Sequence, residues 1–378
     1  MVDINLSKSV RSNLSSLQNT ANLMSNTSNR LSTGNKVNSA LDNPTNFFTA
    51  SSLNSRAGDL NQLMDSMNNG IKTIEAADNG LTAITKNLES MQSTLRQARQ
   101  DKSFQTESFA VTLNTDNEFA AGSTVSFVGG ATGQAITGGT PIAIDVAGMN
   151  LDEAVEAINT AAADGGTLEG AVRASNDNGK LRIENLSTGD LNVAGATSVT
   201  AGSIDGNTVR ADLAAQYNEL RDQLDKLSDD ASFNGINLLR GDNLSITFNE
   251  TGTSSIDVQA KEGKTINSAN LGVETSLNAA DLDSDAGIDG FISQIKSALG
   301  SVRDQSSAFG SNLSAVQNRQ DFTQKMINTL ETGAGNLTLA DMNQEAANMM
   351  ALQTRQSLAS STLSMANTAD QNVLQLLR

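Results

Sequence analysis

The residue types that carry most enzyme chemistry are missing from this sequence. It contains no His and no Cys, so the commonest general base, the commonest metal ligand and the thiol nucleophile are all absent. Carboxylates dominate the ionisable groups that remain, with 42 acidic residues against 25 basic ones and a formal charge of −17. A chain this acidic, with no visible basic patch, is not expected to bind nucleic acid or an anionic membrane surface.

One acidic run, from Asp281 to Asp289, resembles a calcium-binding loop. Its sixth position is Ala286 rather than Gly, and its twelfth is Ile292 rather than the Glu that would be a bidentate ligand. We therefore interpret these acids as favourable charges at the N-terminus of a following helix, in preference to a calcium site.

Two further stretches could in principle carry chemistry. The glycine-rich run 129–139 does not end in Gly-Lys-Ser/Thr and opens no helix, so a surface loop is favoured over a phosphate site. The pair Asp152-Glu153 could act in acid–base catalysis, but nothing nearby supplies a partner, and a solvated helix face is favoured. We predict no catalytic, metal-binding or cofactor-binding residue and no cofactor, and we do not expect an enzyme.

The two ends of the chain carry matching apolar stripes. Their members recur at steps built from three and four, so each stripe lies on one face of a helix. Neither stripe can bury itself alone, and we predict that the ends pair, stay largely disordered in the monomer and fold on assembly. The predicted members are Val10, Leu14, Leu17, Ala21, Met24 and Leu31 at the N-terminus and Leu352, Ala359, Leu363, Ala366, Val373 and Leu377 at the C-terminus.

Longer heptad stripes occupy 53–98 and 288–330, which is coiled-coil length. Gly333 and Gly335 are expected to separate the second of them from the terminal helix. A shorter helix over 209–227, a turn and a β-hairpin over 244–258 lie between the two long helices.

Composition changes near residue 104, and the segment 104–208 carries 3 basic and 13 acidic residues. Alternating apolar residues predict short strands around 109–113, 125–127, 142–146, 181–183 and 191–193. Asn150 with Glu153 predicts a capped helix start. The fold class is therefore mainly α, a long coiled-coil bundle formed by both halves of the chain, with a β-hairpin and an inserted small α+β domain.

Three motifs, in order, resemble those of bacterial flagellins. They are Leu31-Ser-Thr-Gly34 with Val37-Asn-Ser-Ala40 and Asp42-Asn43, then Phe233-Asn-Gly235 with Leu238-Leu239 and Gly241, then Ala366-Asn367 with the ending Gln371 to Arg378. The resemblance covers about 1–100 and 209–378. It marks Gly34, Asn38, Asp42, Phe233, Asn234 and Gly235 as turn residues.

The resemblance implies three domains. Residues 1–42 and 338–378 would form the inner filament core, residues 43–103 and 209–337 the protofilament contacts, and residues 104–208 the exposed outer domain. In the usual flagellin the outer domain follows the hairpin, whereas here the extra segment precedes the Phe233 turn. The stretch Leu88–Gln97 has Ser90 and Gln92 where arginines are usual, so weak recognition by the animal innate receptor is expected.

The implied function is the structural subunit of the extracellular flagellar filament, a homopolymer for swimming motility. The N-terminal stretch lacks an apolar run and a cleavage site, which fits uncleaved export through the flagellar type III route. Implied partners are further copies, sister flagellins, an export chaperone, the filament cap and the hook-junction proteins. The alternatives are the hook–filament junction protein and a filament subunit whose inserted domain is an adhesin.

Overall fold

The computed structural model describes residues 8–129, 140–163, 166–195, 198–273 and 276–376. The helices are α1 (Lys8–Thr33), α2 (Pro44–Gln100), α3 (Leu151–Ala161), α4 (Thr208–Asp230), α5 (Asp285–Thr338) and α6 (Met342–Leu376). The strands are β1 (Gln105–Ala110), β2 (Thr124–Gly129), β3 (Ile142–Asp145), β4 (Val172–Asp177), β5 (Lys180–Asn185), β6 (Leu191–Gly195), β7 (Gly202–Ile204), β8 (Leu244–Thr247) and β9 (Ser255–Val258). The mainly α class with a β-hairpin and an inserted α+β segment is confirmed.

The two longest helices extend beyond the predicted stripes. Helix α2 begins at Pro44, directly after Asn43, whose side chain accepts a hydrogen bond from the Asn46 amide at 3.1 Å. Proline suits the first helical turn because its missing N–H has no partner there in any case. Helix α5 does not end at Gly333 or Gly335 but continues to Thr338. The prediction of a break at these glycines is wrong.

By its contacts the chain divides into two compact units. The core unit comprises the described parts of 1–68, 247–255 and 317–378, and the outer unit those of 69–246 and 256–316. These two names are used below.

The outer unit contains the inserted domain. Its strands form an antiparallel three-stranded sheet in the order β1-β5-β4 and a four-stranded sheet in the order β3-β2-β6-β7. Apolar side chains of both sheets and of α3 form one core that includes Phe119, Phe127 and Ile158. Helix α3 starts with the predicted capping box: Asn150 accepts from the Glu153 amide and Glu153 accepts from the Asn150 amide.

The rest of the outer unit packs α2, α4 and α5 closely. A Cβ added at Gly80 would lie 2.6 Å from Ala231 Cβ and 2.8 Å from Leu239 Cδ1, so the backbone approaches the end of α4 more closely than alanine allows. The predicted turn follows α4: Phe233 and Ile236 exchange backbone hydrogen bonds, and Asn234 and Gly235 have φ of 51° and 82°. Two positive φ values are the geometry that Asn-Gly favours.

Arg210 forms a buried junction where the inserted domain leaves and rejoins the helices. Its side chain is 1% exposed, and its guanidinium donates to the carbonyl oxygens of Leu282 and Asp283 at 2.7 and 2.9 Å. It also donates to Asp101 O at 3.2 Å and to Asp285 Oδ1 at 3.1 Å. Four acceptors from two segments therefore converge on one cation, which we call the Arg210 junction.

Asp283 is the component of this junction with an unfavourable charge. Burial raises the pKa of its carboxyl, and the hydrogen bond from the Thr188 amide and the charge of Arg210 offset this in part. A raised pKa in the folded state means that ionised Asp283 costs stability. The cost is absent below the ordinary carboxyl pKa of the unfolded chain, and it grows as the pH rises from there through the raised pKa of the folded state.

Replacing this carboxyl by an amide is expected to stabilise the outer unit. Asp283→Asn keeps an oxygen acceptor for Thr188 and removes a charge that is half-buried, so its thermal unfolding temperature at pH 7 should exceed that of the wild type. The difference should shrink below about pH 4, where the wild-type carboxyl is protonated. Asp116→Asn, at an exposed loop position, is the matched control and should change stability by less than about 0.5 kcal/mol. A lower unfolding temperature for Asp283→Asn at pH 7 would contradict the assignment.

Candidate assembly surface

Net charge is distributed very unevenly between the two units. Counted over the full sequence ranges, the core unit (1–68, 247–255 and 317–378) contains 9 basic and 10 acidic residues, a net charge of −1. The outer unit (69–246 and 256–316) contains 16 basic and 32 acidic residues, a net charge of −16. Like charges at this density make outer-unit surfaces repel one another, while copies of the core unit can approach without net repulsion.

Exposed apolar side chains show the opposite distribution. Twelve large hydrophobic residues are exposed in the described chain, and ten of them belong to the core unit. The ten are Leu14, Leu23, Leu41, Phe48, Phe322, Leu339, Met342, Met350, Leu358 and Met365. Exposed large apolar side chains are thus concentrated in the nearly uncharged unit, which makes its surface the candidate for contacts with other molecules.

Helices α1 and α6 pair antiparallel in the core unit. Arg30 Nη1 lies 3.3 Å from Glu345 Oε1, and Asn35 and Leu339 form an antiparallel bridge. The less exposed residues alternate steps of three and four along both helices, a heptad seam. The seam comprises Val10, Asn13, Leu17, Thr20, Met24, Thr27 and Leu31 of α1 and Glu345, Met349, Leu352, Gln356, Ala359, Leu363 and Ala366 of α6.

Most of the predicted stripe residues lie in this seam, but Leu14 and Ala21 do not. Leu14 is 41% exposed and lies outside it. Asn13 and Thr20 hold the seam positions expected for Leu14 and Ala21, and Thr27 is an additional seam residue. Thr20 and Thr27 are each 7% exposed. The predicted Ala21 is half-buried beside the seam. Val373 lies in α6 but its side chain is outside the described set, and Leu377 lies outside the described residues.

A second apolar row follows the solvent side of α6. Met350, Leu358 and Met365 are 64%, 62% and 62% exposed. At 100° per residue they share about a quarter of the helix circumference, away from the seam. Nothing in the described residues of this chain covers the row, so it is available to another molecule.

The predicted turn residues between α1 and α2 build a fixed connection. Gly34 ends α1 with φ of 71°, a left-handed conformation that favours glycine, and its carbonyl accepts from the Ala340 amide at 2.8 Å. Asn38 Nδ2 donates to Asn35 O at 3.3 Å. Asp42 Oδ2 accepts from the Asn38 and Ser39 amides, both at 3.0 Å.

These two amide hydrogen bonds lower the pKa of the Asp42 carboxyl, and the one from the Asn38 amide has the larger effect. The stabilisation by ionised Asp42 is present above the ordinary carboxyl pKa and is lost as the pH falls through the lowered one. The other predicted turn residues, Phe233, Asn234 and Gly235, lie in the outer unit and are not part of this surface.

Sequence comparison connects both ends of the chain to one family. Residues 4–116 match the bacterial flagellin N-terminal helical region, and residues 292–377 match the bacterial flagellin C-terminal helical region. Flagellin FljK of Caulobacter vibrioides is 30% identical over 53% of this chain and 67% of its own length. Flagellin A of Rhizobium meliloti is 26% identical across the full length of both chains.

The paired terminal helices, the exposed apolar side chains of the core unit and these matches are those of a self-assembling structural protein. The chain belongs to the bacterial flagellin family. Membership makes it a structural protein of the extracellular flagellar filament. In the described ranges no helix is apolar and long enough to span a bilayer, and no three metal-ligating side chains cluster.

Proposed function

We propose that this chain is the repeating subunit of the flagellar filament and assembles through the surface of its core unit. The observation that carries this proposal is the separation of charge from apolar surface. Ten of the twelve exposed large hydrophobic residues lie in the unit with a net charge of −1, and the unit with a net charge of −16 holds two. This distribution suits a subunit that buries one part in a polymer and keeps the other in water.

The proposed roles within the polymer follow the same distribution. Residues 1–42 and 338–378 form the filament core, residues 43–103 and 209–337 make the contacts between protofilaments, and residues 104–208 face outward. The inserted segment is the most acidic of the three, with 3 basic and 13 acidic residues. Its charge favours the position with the most water around it.

The α1–α6 pair is proposed to gain its full stability from assembly. Its seam contains polar residues such as Asn13 and Gln356, and most of its members are half-buried rather than buried. A two-helix pair with so little buried apolar area stabilises itself weakly. Contacts with further copies would add the burial that offsets the ordering entropy of both ends.

Export through the flagellar type III route without cleavage is part of the proposal. Family membership supports it, together with an export chaperone, the filament cap and the hook-junction proteins as partners. Intact-mass measurement of filament protein tests the uncleaved state. A mass short by an N-terminal segment would contradict it.

Seeded assembly of the purified chain tests the proposal. Full-length protein should elongate filament seeds, as seen by negative-stain electron microscopy, whereas variants lacking 1–42 or 338–378 should not, because each lacks one helix of the pair. Filaments from either truncated variant would place the assembly energy elsewhere in the chain. Failure of the full-length chain to elongate matched seeds would favour the hook–filament junction protein.

A further inference from the structure

Methionine is the only sulfur-containing residue of this chain. The sequence has 11 Met and no Cys, and sulfur is the protein atom that peroxides oxidise most readily. Other oxidisable side chains are nearly absent too, because the sequence has no Trp and no His and its single tyrosine, Tyr217, is buried. Oxidation is therefore directed to methionine thioethers, and their exposure decides which of them react first.

The exposed thioethers of the described chain all belong to α6. Ten of the 11 methionines lie in the described residues, and three of these ten are exposed. Met350 and Met365, in the apolar row, are 64% and 62% exposed, and Met342, outside the row, is 46% exposed. Met67 and Met91, in α2, are both 0% exposed, and the remaining five are half-buried. An oxidant in solution thus has direct access to two sulfur atoms of the apolar row.

We propose that Met350 and Met365 are oxidation sites through which hydrogen peroxide controls the assembly of this chain. The oxygen–oxygen bond of the peroxide breaks, one oxygen atom is transferred to the thioether sulfur, and the other leaves as water. The sulfur loses the two electrons that the peroxide gains. The product, methionine sulfoxide, is polar where the thioether is apolar, so each oxidation places a polar group in the apolar row.

The consequence for assembly rests on the proposed function, because it requires the row to be buried when core units of different copies meet. Both side chains are already exposed in the monomer, so oxidation should leave monomer folding unchanged. In the polymer, each sulfoxide would be buried without the hydrogen bonds that water gives it. Oxidation of both residues should therefore raise the critical concentration about tenfold or more.

The modification is reversible by an external reductant. A sulfoxide reductase with a dithiol removes the oxygen as water, while the dithiol supplies two electrons and becomes a disulfide. The chain has no Cys, so it cannot supply these electrons itself. Its capacity to assemble should therefore follow the balance between peroxide and reductase around it.

Oxidation mapping of the full-length chain is the first test. Purified monomer is treated with hydrogen peroxide, and each methionine-containing peptide is followed by mass spectrometry. Met350 and Met365 should gain one oxygen at least tenfold faster than Met67 and Met91, and at least tenfold more slowly in filaments assembled before the treatment. Equal rates at the exposed and buried pairs, or equal rates at Met350 and Met365 in filaments and monomers, would overturn the proposal.

Seeded assembly of the oxidised chain is the second test. Oxidised wild type should need about tenfold more protein to elongate seeds, and treatment with methionine sulfoxide reductases and dithiothreitol should restore the original requirement to within about twofold. The double variant Met350→Leu with Met365→Leu keeps the row apolar without its sulfur, so peroxide should leave its assembly unchanged. Met342→Leu is the matched control, because it removes an exposed thioether outside the row and should remain as sensitive as the wild type.

The outcomes separate this inference from the proposed function. If oxidised and unoxidised wild type elongate seeds equally well, the inference is overturned and the proposed function stands. Peroxide sensitivity of the double variant equal to that of the wild type would also overturn the inference. Failure of the unoxidised chain to elongate seeds would overturn both.

Discussion

Leu358→Asp should prevent filament growth at concentrations where the wild type assembles, without unfolding the monomer. Leu358 is 62% exposed and lies in the apolar row of α6 with Met350 and Met365. Its replacement should therefore change the stability of the monomer very little. In the polymer, burying a leucine contributes about 2 kcal/mol, and an unpaired carboxylate placed there adds a desolvation cost. Loss of about 2 kcal/mol per contact raises the critical concentration about 30-fold.

The measurement is sedimentation of seeded filaments over a concentration series, with circular dichroism of the monomer beside it. Ser360→Asp is the matched control, because it adds the same charge to an exposed residue of α6 that lies outside the apolar row. It should change the critical concentration much less. Equal effects of the two variants would show that added charge, rather than the apolar row, governs assembly.

Arg210→Met should destabilise the outer unit by about 3–5 kcal/mol, because one buried cation serves four acceptors. Methionine retains much of the side-chain volume but leaves the carbonyl oxygens of Asp101, Leu282 and Asp283 without this donor. The cation also lies 5.1 Å from the centroid of the Phe104 ring, a contact that methionine does not reproduce electrostatically. Differential scanning calorimetry should show the outer-unit transition at a lower temperature.

Two companion variants separate charge from geometry at this position. Arg210→Lys keeps the charge but lacks the planar set of donors, so its stability should lie between the wild type and Arg210→Met. Arg173 forms an ion pair with Glu184, and its side chain is 67% exposed while that of Glu184 is 24% exposed. Arg173→Met should therefore reduce the free energy of unfolding by less than about 1 kcal/mol. Similar losses for Arg173→Met and Arg210→Met would refute the special role of the Arg210 junction.

Helical periodicity accounts for most of what the sequence predicted correctly. Long stripes specify α2, α4 and α5 because steps of three and four recur over many turns, and Asn150 with Glu153 specifies the start of α3. Strands β4 and β7 were missed. β4 continues from Val172 into a polar run that ends at Asp177, and β7 has three residues, so neither shows enough alternation to be recognised.

The difference between the predicted and observed seam residues of α1 comes from local hydrogen bonding. Thr20 and Thr27 look polar in a sequence pattern, yet Thr20 is buried where Ala21 was expected, and Thr27 is buried between Met24 and Leu31, where no member was predicted. The Thr20 hydroxyl donates to Ser16 O within its own helix at 2.9 Å, which satisfies the polar group and lets the side chain be buried. A pattern that counts residue types cannot register such a local bond.

The continuation of α5 through Gly333 and Gly335 reflects packing that the sequence does not show. A Cβ at Gly333 would lie 3.6 Å from Leu53 Cδ1, so the glycine lies directly against α2. Two glycines cost a helix about 2 kcal/mol in propensity, and contact with a long neighbouring helix outweighs this. The exposure of Leu41 was equally unpredictable, since it depends on the turn held by Asp42.

The Arg210 junction also makes the inserted domain a replaceable cassette. The segment leaves after Asp101 and returns at Asn207, whose side chain donates to Asp101 Oδ2 at 2.6 Å. Of the groups that receive hydrogen bonds from Arg210, none belongs to the segment 104–208. A different domain whose termini lie close together could therefore be grafted between these two residues with the four hydrogen bonds of Arg210 kept, although the contacts of Phe104 with Arg210 and of Thr188 with Asp283 would be lost. This suits the position for displaying foreign sequences at high copy number along a fibre.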